Sequence, residues 1–105
     1  MDKLKKFDAV EFLDSKKKQA AYITAALETG DAELVRDALN TVARARGMAK
    51  VAQDADLSRE SLYKALGEKG NPEFNTVMNV VRALGLTLSA HPVEPKRGSG
   101  KRRVA

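Results

Sequence analysis

Residues 48–67 read Met48-Ala49-Lys50-Val51-Ala52-Gln53-Asp54-Ala55-Asp56-Leu57-Ser58-Arg59-Glu60-Ser61-Leu62-Tyr63-Lys64-Ala65-Leu66-Gly67. The pattern predicts two short helices, about Met48 to Ala55 and Ser58 to Leu66, joined by a tight turn. Two helices that cross closely need a small residue midway along the first, and Ala52 stands there. The inner faces need apolar side chains, and Val51, Ala55, Leu57, Leu62 and Ala65 meet that need. Such a turn wants a residue that tolerates positive φ. Asp56 fills the place where glycine is common, and Asp enters that region more readily than most residues, at the cost of mild strain. Ser58 is placed to cap the second helix.

With Leu62 and Ala65 turned inward, Arg59, Glu60, Ser61, Tyr63 and Lys64 are left outside. The N-terminal end of such a second helix is the part that enters a DNA major groove. Arg59 suits a bidentate contact to guanine, and Glu60 suits an acceptor for cytosine N4. Tyr63 and Lys64 suit the sugar–phosphate backbone or a thymine methyl. Lys50, Lys69 and Asn71 are further phosphate candidates, and the N-terminus that Ser58 opens favours a nearby phosphate. The frame also fits any pair of Ala/Leu-rich helices with Arg59 and Glu60 as solvated charges. Periodic helices before and after it tilt the reading toward DNA, because a helix-turn-helix needs packed neighbours.

Outward from this frame the chain is punctuated by capping signals. A short segment from Phe7 to Asp14 spaces Phe7, Val10 and Leu13 by threes. Ser15 opens a helix to Thr29 that Gly30 stops. It begins with Lys16, Lys17 and Lys18, against the helix dipole, which fits a binding surface or a solvated face. Asp31 caps the next helix, to about Arg46. Leu34 is expected to pack inward there, with Val35, Ala38, Leu39, Val42 and Ala45 on the same periodic pattern. After the turn-forming run Gly67 to Pro72, a last helix spans about Phe74 to Leu84, with Phe74, Val77, Met78, Val81 and Leu84 on one stripe. Beyond Gly85, the residues Leu86, Leu88 and Ala90 alternate with Thr87, Ser89 and His91, which predicts a short strand ended by Pro92 and Pro95. A lone strand lacks a partner, so the same strand of a second subunit is expected to pair with it through Leu86, Thr87, Leu88, Ser89 and Ala90.

A chain of 105 residues holds one compact core, not a cofactor domain plus a substrate domain. Hydrophobic content of 43% and charged content of 31% are those of a globular protein. The net charge of +5 comes from Lys96, Arg97, Lys101, Arg102 and Arg103; the rest of the chain balances its 14 acids with as many bases. This tail adds either non-specific phosphate affinity or solubility, and its composition predicts disorder. Without cysteine there is no disulfide, thiolate zinc site or cysteine nucleophile. His91 is alone, so a metal site is not expected, nor is a cofactor. Ser58 and Ser61 have no histidine constellation beside them, and no enzyme activity is expected. The start lacks the apolar region of a signal peptide, and no apolar run is long enough for a membrane, so a cytoplasmic protein is expected.

Residues 39–88 resemble the repressor-type (XRE-like) helix-turn-helix domain. More narrowly, residues 7–93 are similar to the small antidote proteins of addiction modules, of the HigA-like kind. The runs that carry the likeness are Phe12-Leu13, Ala20-Ala21-Tyr22-Ile23, Ala26-Leu27-Glu28-Thr29-Gly30-Asp31, Ala43-Arg44-Ala45-Arg46-Gly47-Met48, Leu57 to Leu66, Gly70-Asn71-Pro72-Glu73-Phe74 and Ala83-Leu84-Gly85-Leu86. The resemblance implies an all-α, five- to six-helix, lambda-repressor-like fold, to which the alternation from Leu86 adds a short C-terminal dimerisation strand. The chain then reads as a helical extension over 1–30, a helix-turn-helix domain over 31–93 and, outside the shared pattern, a basic tail over 94–105. The resemblance implies two partners, a cognate toxin of the RelE/ParE-like kind and double-stranded operator DNA, the latter bound by a homodimer that represses its own operon. Segment 8–29 either holds the toxin or only completes the core; Asp8, Glu11, Asp14 and Glu28 are its acidic candidates. The rivals are an XRE-type transcription regulator with no toxin, and an interaction adaptor without DNA binding.

Overall fold

A computed structural model describes residues 8–94. Among the described residues a 3-10 turn, Ala9–Phe12, precedes five α-helices: α1 (Lys16–Glu28), α2 (Ala32–Arg46), α3 (Met48–Asp54), α4 (Arg59–Leu66) and α5 (Phe74–Ala83). The caps follow the sequence. The Ser15 hydroxyl accepts from Lys18 N at 3.1 Å. Asp31 Oδ1 accepts from Glu33 N at 2.9 Å and from Leu34 N at 3.4 Å. Ser58 Oγ accepts from Ser61 N at 2.9 Å. Each occupies N–H groups that an isolated helix end leaves unpaired. The lysines that open α1 have no acid in its first turn, but Lys18 pairs with Asp14 at 3.0 Å.

The helices pack as neighbours in sequence and through the core: α1 on α2, α2 on the 3-10 turn and α4, α3 on both α4 and α5. The core joins Leu13 and Ile23 to Leu39, Val42, Val51, Leu62, Leu66, Val80 and Leu84, so residues 8–28 share the core of the later helices. Gln19 is the polar member of this interior, 4% exposed. Its Nε2 donates to the Leu13 carbonyl at 2.9 Å, and its Oε1 accepts from Arg46 Nη1 at 3.0 Å. Arg46 Nη1 also donates to the Leu84 carbonyl at 2.9 Å. One guanidinium thus ties α1, α2 and the end of α5, and the amide it meets is satisfied rather than stranded.

Three expectations are corrected. Leu34 is 46% exposed and Phe74 is 75% exposed, although both continue apolar patterns. Each lies in the first turn of its helix, where the neighbouring helices no longer cover it. No strand forms over residues 86–94. Gly85, at φ 75°, ends α5 instead. Gly85 N donates to Arg82 O at 2.9 Å and Leu86 N to Val81 O at 3.1 Å, the paired bonds of a Schellman cap. Leu86 is therefore the apolar residue that seals a helix end, and Leu86 and Leu88 pack against the core. No described helix is long and apolar enough to cross a membrane.

Candidate nucleic-acid interface

Helix α3 ends with a Schellman cap of its own. Asp56 N donates to Gln53 O at 3.1 Å and Leu57 N to Ala52 O at 2.8 Å. Asp56 holds φ 64°, the left-handed value that this cap demands at its pivot, and no other described non-glycine residue has positive φ. The four residues Ala55 to Ser58 then reverse the chain into α4. Val51, Ala52, Ala55 and Leu62 are buried, and Leu57 and Ala65 are partly buried, so the apolar positions of the frame meet at the α3–α4 contact.

Leu62 and Leu66 seat α4 on the core, and Arg59, Glu60, Ser61, Tyr63 and Lys64 are all exposed. The Arg59 guanidinium carbon lies 5.4 Å from the Tyr63 ring centroid, one turn along the helix, which is cation–π distance. Ser58, Arg59, Glu60 and Tyr63 border one shallow depression. Ser58 itself is spent on capping, and its hydroxyl also donates to Ser61 Oγ at 2.9 Å. Lys50 Nζ meets Asp54 Oδ2 at 3.1 Å on α3. That pair is solvent-exposed, so it holds Lys50 only weakly.

Lys69 and Asn71 are exposed on the loop that follows α4. The loop folds back tightly on that helix. Gly70 N donates to Gly67 O at 2.8 Å, and a Cβ at Gly70 would run into the Ala65 carbonyl. From the far side, Arg36 Nη1 donates to Gly70 O at 3.0 Å, while its Nη2 meets Asp37 Oδ1 at 3.0 Å. Arg36 Nε is buried and has no hydrogen-bond partner among the described residues. Sequence reasoning missed Arg36. Its signal was a charged residue between Val35 and Leu39 in the apolar pattern of α2, but Gly70 lies 34 positions away and no local spacing announces that contact.

The N-terminal acids are placed differently from one another. Asp8 Oδ2 is 3.3 Å from Arg44 Nη1, and Asp14 pairs with Lys18. The Val10 N–H bond, with help from Arg44, holds the Asp8 carboxyl below the usual carboxylate range; Lys18 does the same for Asp14. Glu11 and Glu28 are exposed, with no ion pair among the described residues.

This geometry defines an all-α domain built on two short helices and a four-residue turn, with the second helix presenting a polar, partly cationic row. A sequence profile of the family described as "Probable addiction module antidote protein" matches residues 3–92. An uncharacterised protein of Haemophilus influenzae is 47% identical over 85 residues, covering 81% of this chain and 88% of that relative. No solved structure matches. The chain belongs to the family of probable addiction module antidote proteins.

Proposed function

We propose that this protein is the antitoxin of a type II toxin–antitoxin module. It binds and neutralises a toxin of the RelE/ParE-like kind, and it represses its own operon as a dimer. Membership of the antidote family over residues 3–92 is the observation that carries the toxin half, because an antidote requires a toxin to act on. The DNA half rests on α4. Its capped N-terminus, its exposed Arg59, Glu60, Ser61, Tyr63 and Lys64, and the adjoining Lys50, Lys69 and Asn71 make a surface suited to bases and phosphates together. In this reading Arg59 and Glu60 contact base edges, and the lysines and Asn71 contact phosphates. Two copies meet through residues 86–90, where Thr87, Ser89 and Ala90 are exposed and Leu86 and Leu88 pack on the chain's own core. Their α4 helices then reach major grooves about one turn, ~34 Å, apart.

The test is a mobility-shift titration on DNA from upstream of the operon, at several salt concentrations. Wild type is expected to give a shift that survives competitor DNA, and Arg59→Ala/Lys64→Ala is expected to lose it. Absence of a specific shift with wild type would remove the repressor role and leave an interaction protein.

A further inference from the structure

We propose that the tip of the α1–α2 hairpin is the docking surface for a basic protein; this rests on the antitoxin reading and places the toxin there. The hairpin turns through Thr29, Gly30 and Asp31. On one side of this link Leu27 is 37% exposed, and on the other Leu34 is 46% exposed. A single exposed leucine is ordinary. Two that flank the same three-residue link give it exposed apolar surface on both sides.

The rim of that surface is acidic. From Gln19 to Val35 the chain carries Glu28, Asp31 and Glu33 and no base. Asp8 and Asp14, by contrast, already face Arg44 and Lys18. Glu28 and Glu33 have no ion-pair partner among the described residues. The C-terminal end of α1 and the N-terminal end of α2 meet at this link with opposite dipole signs, so the negative rim rests on the carboxylates themselves. Apolar surface with a charged rim is the anatomy of a protein–protein interface, and the sign of the rim selects a cationic partner.

The tip is held before any partner arrives. Thr29 Oγ1 donates to Ala26 O at 2.6 Å, Asp31 N to Thr29 Oγ1 at 3.0 Å, and Gly30 N to Leu27 O at 3.1 Å. With the Asp31 cap on Glu33 and Leu34, the link spends little entropy on ordering when it binds. Nucleic acid and anionic lipid are repelled by this rim. A second copy meeting it across a two-fold axis would set Glu28 and Glu33 against themselves. A basic protein is the occupant that meets both the leucines and the acids.

The probe is the purified product of the adjacent toxin gene, titrated against the full chain by calorimetry at low and high salt. Leu27→Gln/Leu34→Gln and Glu28→Lys/Glu33→Lys are each expected to weaken binding about tenfold or more, with the charge pair's effect shrinking as salt rises. Both pairs are exposed, and unchanged melting and operator retardation verify that the fold is intact. Glu68→Lys, exposed elsewhere, is expected to bind as wild type. Wild-type affinity in both double variants overturns the docking surface and leaves the antitoxin reading standing. Equal weakening by Glu68→Lys reduces the effect to net charge and also overturns it. Failure of wild type to bind the product removes both the surface and the antitoxin reading.

Discussion

Arg46 donates to the buried amide oxygen of Gln19 at 3.0 Å, joining the last turn of α2 to the first half of α1. The same guanidinium nitrogen reaches the Leu84 carbonyl. Removing it strands two acceptors, one of them on a side chain inside the core. Arg46→Leu is expected to lower stability by about 2–3 kcal/mol, the cost of unmet buried acceptors plus a charge-assisted bond. Urea unfolding measures it. A loss below about 0.5 kcal/mol, the range of ordinary surface substitutions, would mean that water replaces the guanidinium without penalty.

Asp56 is strained by a turn it does not fit best. Its φ of 64° suits glycine, tolerates Asp, and resists a residue with an ordinary Cβ and no polar group. Asp56→Ala is expected to lose about 1 kcal/mol, and Asp56→Gly is expected to be no less stable than wild type. Thermal melts of the three proteins give the order directly. Equal melting of the Ala variant and wild type would show that the turn relaxes to another conformation.

The helix ends were legible because capping is local. Ser15, Asp31 and Ser58 each precede an apolar periodic run, and each side chain bonds an N–H in the first turn of the helix it opens. The positive φ of Asp56 was legible for the same reason: the frame fixes where the turn must pivot. Leu34 and Phe74 were misjudged because periodicity tells which side of a helix faces inward, not how far the neighbouring helix extends. The alternation from Leu86 was misjudged because a strand and a helix-sealing tail can share it. What separates them is the bond from Leu86 N back to Val81. On α4, the outward row followed from placing Leu62 and Ala65 inside, and the pairing of Lys50 with Asp54 is an i, i+4 contact that spacing alone announces. The Arg36–Gly70 contact belongs to tertiary structure and has no such signature.

That contact makes the loop testable. Gly70→Ala places a Cβ against the Ala65 carbonyl, a backbone atom that cannot swing aside. The loop must shift and release its bond to Arg36. The expected loss is about 1–3 kcal/mol, as for other overpacked sites. On the proposed DNA reading, Gly70→Ala also weakens operator binding, because Lys69 and Asn71 move with the loop. Unchanged stability would show that the close approach costs nothing to relieve.

Asp8 links the 3-10 turn to α2 through Arg44, and the pH dependence follows from the direction of its shift. A carboxyl held below its usual range stabilises the fold above the unfolded value, and that contribution is lost as pH falls through the lower folded value. Arg44→Gln is expected to raise the Asp8 pKa only part of the way, since the Val10 N–H bond is the larger cause. Carboxyl-carbon NMR titration resolves the two. Full return to the usual carboxylate range would give the whole shift to Arg44.

The Arg59–Tyr63 stack predicts how the proposed base readout divides between the two residues. A guanidinium within cation–π reach of a ring samples fewer rotamers than a free arginine, which favours the bidentate approach to guanine. Tyr63 is then a positioning residue for Arg59. Arg59→Ala is expected to cost about 1–3 kcal/mol and to relax preference at one position of the operator. Tyr63→Leu is expected to relax the same position, and Tyr63→Phe, which keeps the ring, is expected to retain it. Binding to a set of operator duplexes changed one base pair at a time provides the readout. If Tyr63→Phe fails like Tyr63→Leu, the hydroxyl rather than the ring makes the contact. Uniform weakening over all duplexes by Arg59→Ala would make Arg59 a phosphate ligand.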